Sequence, residues 1–162
     1  MSSTASLLLR TALFVLLLPG AVTVYVPLWI LGGRLPSRPP PLALIGSCLL
    51  ICSGLALFAH TVYLFMMRGR GTPAPWDAPR QLVGAGAYAW SRNPMYIAVV
   101  TILFGEAWYA QSRALLRYAI IVAIGFHLRV FLVEELTLRR NFGESYERYL
   151  RTVPRWFGRR RT

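Results

Sequence analysis

Arg92, Asn93 and Tyr96 stand at the head of one apolar run, in "SRNPMY", and Glu134 and Glu135 stand at the foot of another, in "FLVEEL". Charged side chains at membrane depth cost several kcal/mol unless they are paired or hydrated, so such residues mark a site by default. An arginine and two carboxylates also offer both signs of charge, which is what a zwitterionic ligand needs. Plainer alternatives exist for each. Glu135 has Arg139 four residues on as an ion-pair partner, and Glu134 can be a solvated helix end. Glu106, further along the first run, has Arg113 within reach and reads as structural. The two sets gain weight together because both are expected at one membrane surface.

The elements that must position them follow from composition. The chain has 162 residues, 56% of them hydrophobic, and its mean hydropathy is positive, at +0.48. Soluble domains of this size rarely have that composition. Residues 11–31 and 42–67 carry no charge, 94–112 contain only Glu106, and 114–133 contain only Arg117 and Arg129. A hydrocarbon core of roughly 30 Å needs about 20 helical residues. The expected fold is therefore all-α: one polytopic membrane domain over 1–162, with spans at about those four positions. A cytoplasmic loop follows at 68–93 and a tail at 134–162. The first run lacks a small-residue cleavage site and reads as a retained helix rather than a signal peptide.

Charge sets the orientation. All 18 basic residues are arginines, a composition that hints at a G+C-rich bacterial genome. With four spans, Arg10, Arg68, Arg70, Arg80, Arg92 and the eight arginines from Arg139 to Arg161 share one side. Arg34, Arg38, Arg113 and Arg117 share the other. That asymmetry places both termini in the cytoplasm of a plasma or inner membrane. The net charge of +12 is read as topology plus attraction to anionic lipid headgroups, not as a nucleic-acid footprint. Cys48 and Cys52 lie four apart on one span and read as small packing residues. His60 and His127 lie on different spans, and no histidine or cysteine pair has zinc-ligand spacing. No metal is expected.

Three local features complete the outline. "RLPSRPPP" is a turn between the first two spans. The second half of the 68–93 loop reads as a short interfacial helix ending at Asn93. "ESYERYLRTV" places Tyr146, Tyr149, Leu150 and Val153 at helical spacing between arginines, the pattern of an amphipathic helix on the membrane or on the bundle. Phe142-Gly143 should break the chain ahead of it.

The combination "GTPAP…RQLVGAGAYAWSRNPMY…VEELTLRRNFGESYERYLRTVPRW" resembles the isoprenylcysteine carboxyl methyltransferase family and its relatives, the phospholipid methyltransferases. In that family a glycine-proline loop leads into G-x-Y-x-x-x-R-H-P-x-Y. A helix ending in Glu-Glu and then F-G-x-x-Y-x-x-Y-x-x-x-V-P follow. The likeness runs from about Gly69 to Trp156, and the departure is Asn93 where the carboxyl methyltransferases have histidine. The resemblance implies an enzyme that binds S-adenosylmethionine near the cytoplasmic surface. By position it gives Gly86 and Tyr88 to a cofactor-covering loop, and matches Arg92, Asn93 and Tyr96 to the Arg-His-Pro-x-Tyr set. Glu134 and Glu135 match the acidic pair, and Gly54, in "CSG", answers to half of a Gly-x-Gly in an earlier helix. Arg92, Asn93 and Glu134 are the implied catalytic residues.

The chemistry suits that cofactor. Its ammonium and ribose hydroxyls call for carboxylates, and its own carboxylate calls for an arginine or backbone N–H groups. Its sulfonium is already electrophilic, so displacement needs mainly alignment in a dry site. The acceptor is expected to be a lipophilic molecule methylated at the membrane surface, a carboxylate or other small amphiphile, because Asn93 stands where a histidine base might have served. A phospholipid amine is the alternative acceptor. An NADPH-dependent sterol-reductase-like enzyme and a membrane scaffold without catalysis are the rival classes. Nothing in the residues sets an oligomeric state.

Overall fold

The computed structural model describes residues 4–34, 39–69 and 81–157. The glycine-proline stretch at 71–75, most of the proline-rich turn and the arginines at 159–161 lie outside the described residues. Every regular element among the described residues is helical.

The first crossing combines α1 (Thr4–Leu17), a π-helical turn (Ala21–Tyr25) and α2 (Val26–Ile30). The second is α3 (Pro41–Leu64), prolonged by a π turn at Phe65–Gly69. Proline at the start of α3 suits its first turn, where a missing N–H costs nothing. A single 3₁₀ turn, Gly86–Ala89, follows where the sequence suggested a longer interfacial helix. The glycines flanking that segment favour turn over helix, and Gly86 takes φ +58°, outside the helical range. Then come α4 (Pro94–Tyr109) and α5 (Arg113–Arg129), joined by a tight turn in which Gln111 has φ +50°. Ser112 caps α5 by accepting a bond from the Leu115 N–H at 3.3 Å. A third π turn (Val130–Glu134) leads without interruption into α6 (Glu135–Thr152).

Three of these helical stretches are long and apolar enough to cross a membrane: Leu9–Ile30, Pro41–Arg68 and Arg113–Thr152. The third apolar run, 94–112, forms a shorter helix than its sequence suggested. With 16 residues, α4 is about 24 Å long at 1.5 Å per residue. It is also the most enclosed helix, burying Ala98, Val99, Ile102, Leu103, Gly105 and Ala107. The last stretch continues as helix past the apolar run and is broken by a kink before its amphipathic segment. Its apolar portion ends at Val133, and its bend falls at Gly143, as the Phe142-Gly143 pair suggested, with φ 50° and ψ −126°. Past the bend, Tyr146 and Val153 are buried, so the amphipathic segment packs on the bundle.

The tightest seam joins α3 to α4. On α3, Ala43, Ser47, Gly54 and Thr61 turn inward, and this face sends Cys48 and Cys52 to the exposed side, not into packing. A second cluster, Val99, Leu103 and Ala119, ties α4 to α5 and gathers Val22 and Phe58. The Tyr118 hydroxyl donates to the Val22 carbonyl at 3.0 Å and ties α5 to the first crossing.

Candidate functional site

Asn93 is the N-cap residue of α4, and Pro94 follows in the first turn. The chain is non-helical just before α4, at 91–93, and again just after α6, from Val153 on, and the two segments pair. The Arg92 N–H donates to the Pro154 carbonyl at 3.0 Å. The Asn93 side-chain amide donates to the Arg155 carbonyl at 2.9 Å, and the Ser91 hydroxyl reaches the same carbonyl at 3.3 Å. Asn93, where a histidine might have stood, is thus buried and serves as a clasp on the backbone.

The charged groups converge on this clasp. The Glu135 carboxylate is 5% exposed and accepts bonds from two arginines. Arg155 grips it with Nε at 2.6 Å and Nη2 at 3.0 Å, the two-pronged geometry of strong guanidinium–carboxylate pairs. Arg92 adds Nη1 at 2.9 Å. Burial alone would push the Glu135 carboxyl up. The Arg155 hydrogen bonds and the Arg92 and Arg155 charges outweigh it and hold the group below the ordinary carboxylate range. Arg139, the helical neighbour suggested by spacing, pairs instead with Glu147 at 2.9 Å.

Glu134 has a different environment. It accepts a bond from the Tyr96 hydroxyl at 2.8 Å, and that oxygen receives the Arg129 Nε at 3.3 Å. Burial raises its carboxyl above the ordinary value despite the Tyr96 bond and the Arg129 charge. Two adjacent carboxylates are therefore pushed in opposite directions. Glu135 is neutralised within the protein, and Glu134 is held in place by a neutral hydroxyl with much less compensation. The Tyr96 ring lies 4.5 Å from that of Phe126 and 6.5 Å, edge-on, from that of Trp156. The Trp156 indole N–H donates to His127 Nδ1 at 3.0 Å.

The Gly86–Ala89 turn forms the other wall. Tyr88 is buried with Leu64 and Val83, and its carbonyl accepts the Tyr149 hydroxyl at 2.6 Å. Burial and then the Glu134 charge raise the Tyr88 hydroxyl well above its usual range. Gly54 lies elsewhere. A Cβ there would come 2.7 Å from Ile102 Cγ1 and 2.9 Å from the Ala98 carbonyl, so its lack of a side chain serves the α3–α4 contact. Glu106 also lies apart: its Oε2 is buried without a hydrogen-bond partner, and the suggested pair with Arg113 does not form.

The sequence-based reading thus finds Gly86, Tyr88, Arg92, Asn93, Tyr96, Glu134 and Glu135 gathered at one end of the bundle, and Gly54 outside the group. It missed Ser91, Tyr149, Arg155 and Trp156. Arg155 and Trp156 had one signal, "VPRW", in which the residue before proline is biased to extended backbone, and Tyr149 stood in the F-G-x-x-Y-x-x-Y motif without an assigned role.

An electropositive sulfonium cofactor with an amino-acid tail suits what is present. Arg92 Nε is buried and has no hydrogen-bond partner, a donor left over for an anionic group. Glu134 offers a carboxylate, bonded among the described residues only to the neutral Tyr96 hydroxyl. Comparison with known protein families matches residues 42–145, more than half of the chain, to phospholipid methyltransferase. No curated protein and no solved structure matches the chain.

Proposed function

The chain belongs to the phospholipid methyltransferase family, and on that premise we propose that it transfers a methyl group from S-adenosylmethionine to a membrane-dissolved lipid acceptor. The observation that carries this reading is the convergence of Arg92, Glu134 and the Gly86 turn at the ends of apolar helices. A water-soluble cofactor and a bilayer-dissolved acceptor can meet only at such a boundary. The arginine asymmetry puts that boundary on the cytoplasmic side.

Arg92 would hold the methionine carboxylate through its spare Nε, while Glu135 fixes the guanidinium plane. Glu134 would take the ammonium or the ribose hydroxyls, with Tyr96 setting its rotamer. Asn93 contributes indirectly, by clasping residues 153–157 so that Arg155 reaches Glu135 and Trp156 lies beside Tyr96. The Tyr96, Phe126 and Trp156 rings exclude water, which suits a displacement that depends on alignment and desolvation. When bound, the cofactor supplies the electrophilic methyl group.

The acceptor we favour is a lipid amine. The family's description supports it, and the reason for preferring a carboxylate was the missing histidine at Asn93. A histidine from α3, His60, lies against Gly86. A lipid carboxylate remains the second reading, supported by the neutral clasp role of Asn93. A reductase is disfavoured because Glu135 engages both Arg92 and Arg155, and the single spare donor, Arg92 Nε, is a poor match for a doubly charged 2′-phosphate.

Calorimetric titration of the detergent-solubilised protein tests the cofactor. S-adenosylmethionine should bind and NADPH should not. Arg92→Ala and Glu134→Gln should each weaken binding by about 1.5–3 kcal/mol, the worth of a hydrogen bond to a charged group. Unchanged affinity in both variants would remove the site assignment.

A further inference from the structure

His60 belongs to none of the motifs above, yet α3 delivers its imidazole to the turn at Gly86. A Cβ at position 86 would come 2.7 Å from His60 Nε2 and 3.4 Å from Cε1, so the ring lies directly over the glycine α-carbon. Leu64, one turn along, fills the remaining space, with Cδ1 at 2.9 Å from the same point. Gly86 is thus constrained twice, by its φ of +58° and by the histidine above it. His60 is exposed, and among the described residues no hydrogen bond or ion pair occupies either ring nitrogen. The other histidine, His127, has Nδ1 engaged by Trp156.

The Arg92 to Tyr96 motif lacks a proton acceptor. The Asn93 amide is neutral and committed to the Arg155 carbonyl. Glu134, facing Tyr96, would be occupied by the cofactor's cationic or hydroxyl groups. An amine acceptor has a pKa of about 10 and reaches neutral pH as its ammonium, which has no lone pair to attack with. Imidazole is the side chain suited to remove that proton near neutrality.

We infer that His60 is the general base of the methyl transfer, taking a proton from a lipid ammonium that reaches the exposed edge of its ring. This rests on the methyltransferase reading above and deepens it. His60 accepts one N–H proton from the ammonium, and the freed nitrogen lone pair forms the new N–CH₃ bond. The S–CH₃ bond breaks with its electron pair passing to sulfur, which leaves as a neutral thioether. Two positive charges enter the step, on ammonium and sulfonium, and two leave, on the methylated ammonium and the imidazolium. Tyr63 follows three residues on along the same helix, and Tyr88 stands on the Gly86 turn, where the Glu134 charge acts on it.

The test uses the full chain in detergent, vesicles of phosphatidylethanolamine in phosphatidylcholine, and S-adenosylmethionine labelled in its methyl group. Wild-type rate should change little between about pH 7 and pH 9, because the base and not the supply of free amine sets it. His60→Gln should be about 100-fold slower at pH 7, and its rate should climb about tenfold per pH unit up to pH 9 as free amine becomes available. Its affinity for S-adenosylmethionine should match wild type, and added imidazole should restore rate to His60→Ala. A His60→Gln variant with wild-type rate and profile overturns the base role. So does one that has lost cofactor affinity, because the histidine would then be holding the site together. Wild-type protein that binds the cofactor yet methylates no vesicle amine overturns the base role alone. Wild-type protein that binds no S-adenosylmethionine overturns the function itself.

Discussion

Two regions hold the bundle together by opposite means. Along the α3–α4 seam the helices meet because side chains are missing: Gly54 admits Ile102, Gly105 admits Ile51, and Gly46 admits the Trp108 ring. At the head of α4 the contacts are long polar arms, with Arg92 and Arg155 meeting on Glu135 and Tyr96 reaching Glu134. Lipid is as apolar as leucine, so burying apolar surface does little to join helices within a bilayer, and close backbone approach must serve instead. At the membrane edge, charge becomes affordable, and directional bonds can fix an arrangement to within tenths of an ångström. The seam therefore sets which helices are neighbours, and the polar end sets where reactive groups point.

Removing charge at the polar end should have the largest effect. Glu135→Ala leaves two partly buried guanidinium groups without their carboxylate and should cost about 3–5 kcal/mol. Thermal unfolding in detergent, followed by circular dichroism, reads this directly. A loss under about 1 kcal/mol would mean that water already solvates the arginines. The pH dependence sharpens the point. Because the folded-state carboxyl is held below the ordinary range, its stabilisation is complete above that range and fades as pH falls through the lowered value. The deficit of Glu135→Gln relative to wild type should shrink in acid.

The seam should yield less. Gly54→Ala forces a methyl group against Ile102 and the Ala98 carbonyl and should cost about 1–3 kcal/mol by overpacking, measured in the same melts. Cofactor affinity should change little, since the polar end is built from other residues. A large loss of affinity would show that the two regions are mechanically coupled and would break the comparison.

Smallest of the three is Tyr149→Phe. It removes one hydrogen bond to the Tyr88 carbonyl and should cost about 0.5–1.5 kcal/mol. If the Gly86 turn belongs to the cofactor site, the loss appears in S-adenosylmethionine affinity as well as in melting temperature. A change in melting temperature alone would detach the turn from the site.

What the sequence made legible follows the same division. The apolar runs announced the crossings because hydrocarbon imposes a length and forbids charge over many consecutive residues. The paired motifs announced one edge of the site because charges beside such runs are conspicuous. Partners were illegible. Glu135 has Arg139 on its own helix face yet pairs with Arg92, 43 residues back, and with Arg155, 20 residues on. The bend at Gly143 brings Arg155 back, and no local spacing reports where a bend points. His60 was hidden for a related reason: within a continuous apolar helix nothing distinguishes the face that will meet a distant turn. The loop helix expected to end at Asn93 is a short turn instead, because Gly86 within it takes positive φ.

The clasp between residues 91–93 and 153–157 also gives the enzyme a timetable. The Asn93 amide bonds to a carbonyl 62 residues further along the chain. At about 5–20 residues per second, synthesis takes roughly 3 to 12 s to cover that distance. Through that interval Arg92 is already made and lies beside a span being inserted, with its carboxylate 43 residues away and the Arg155 guanidinium further still. Activity is therefore withheld from every shorter nascent chain, and the site is finished only after the four apolar runs have been made.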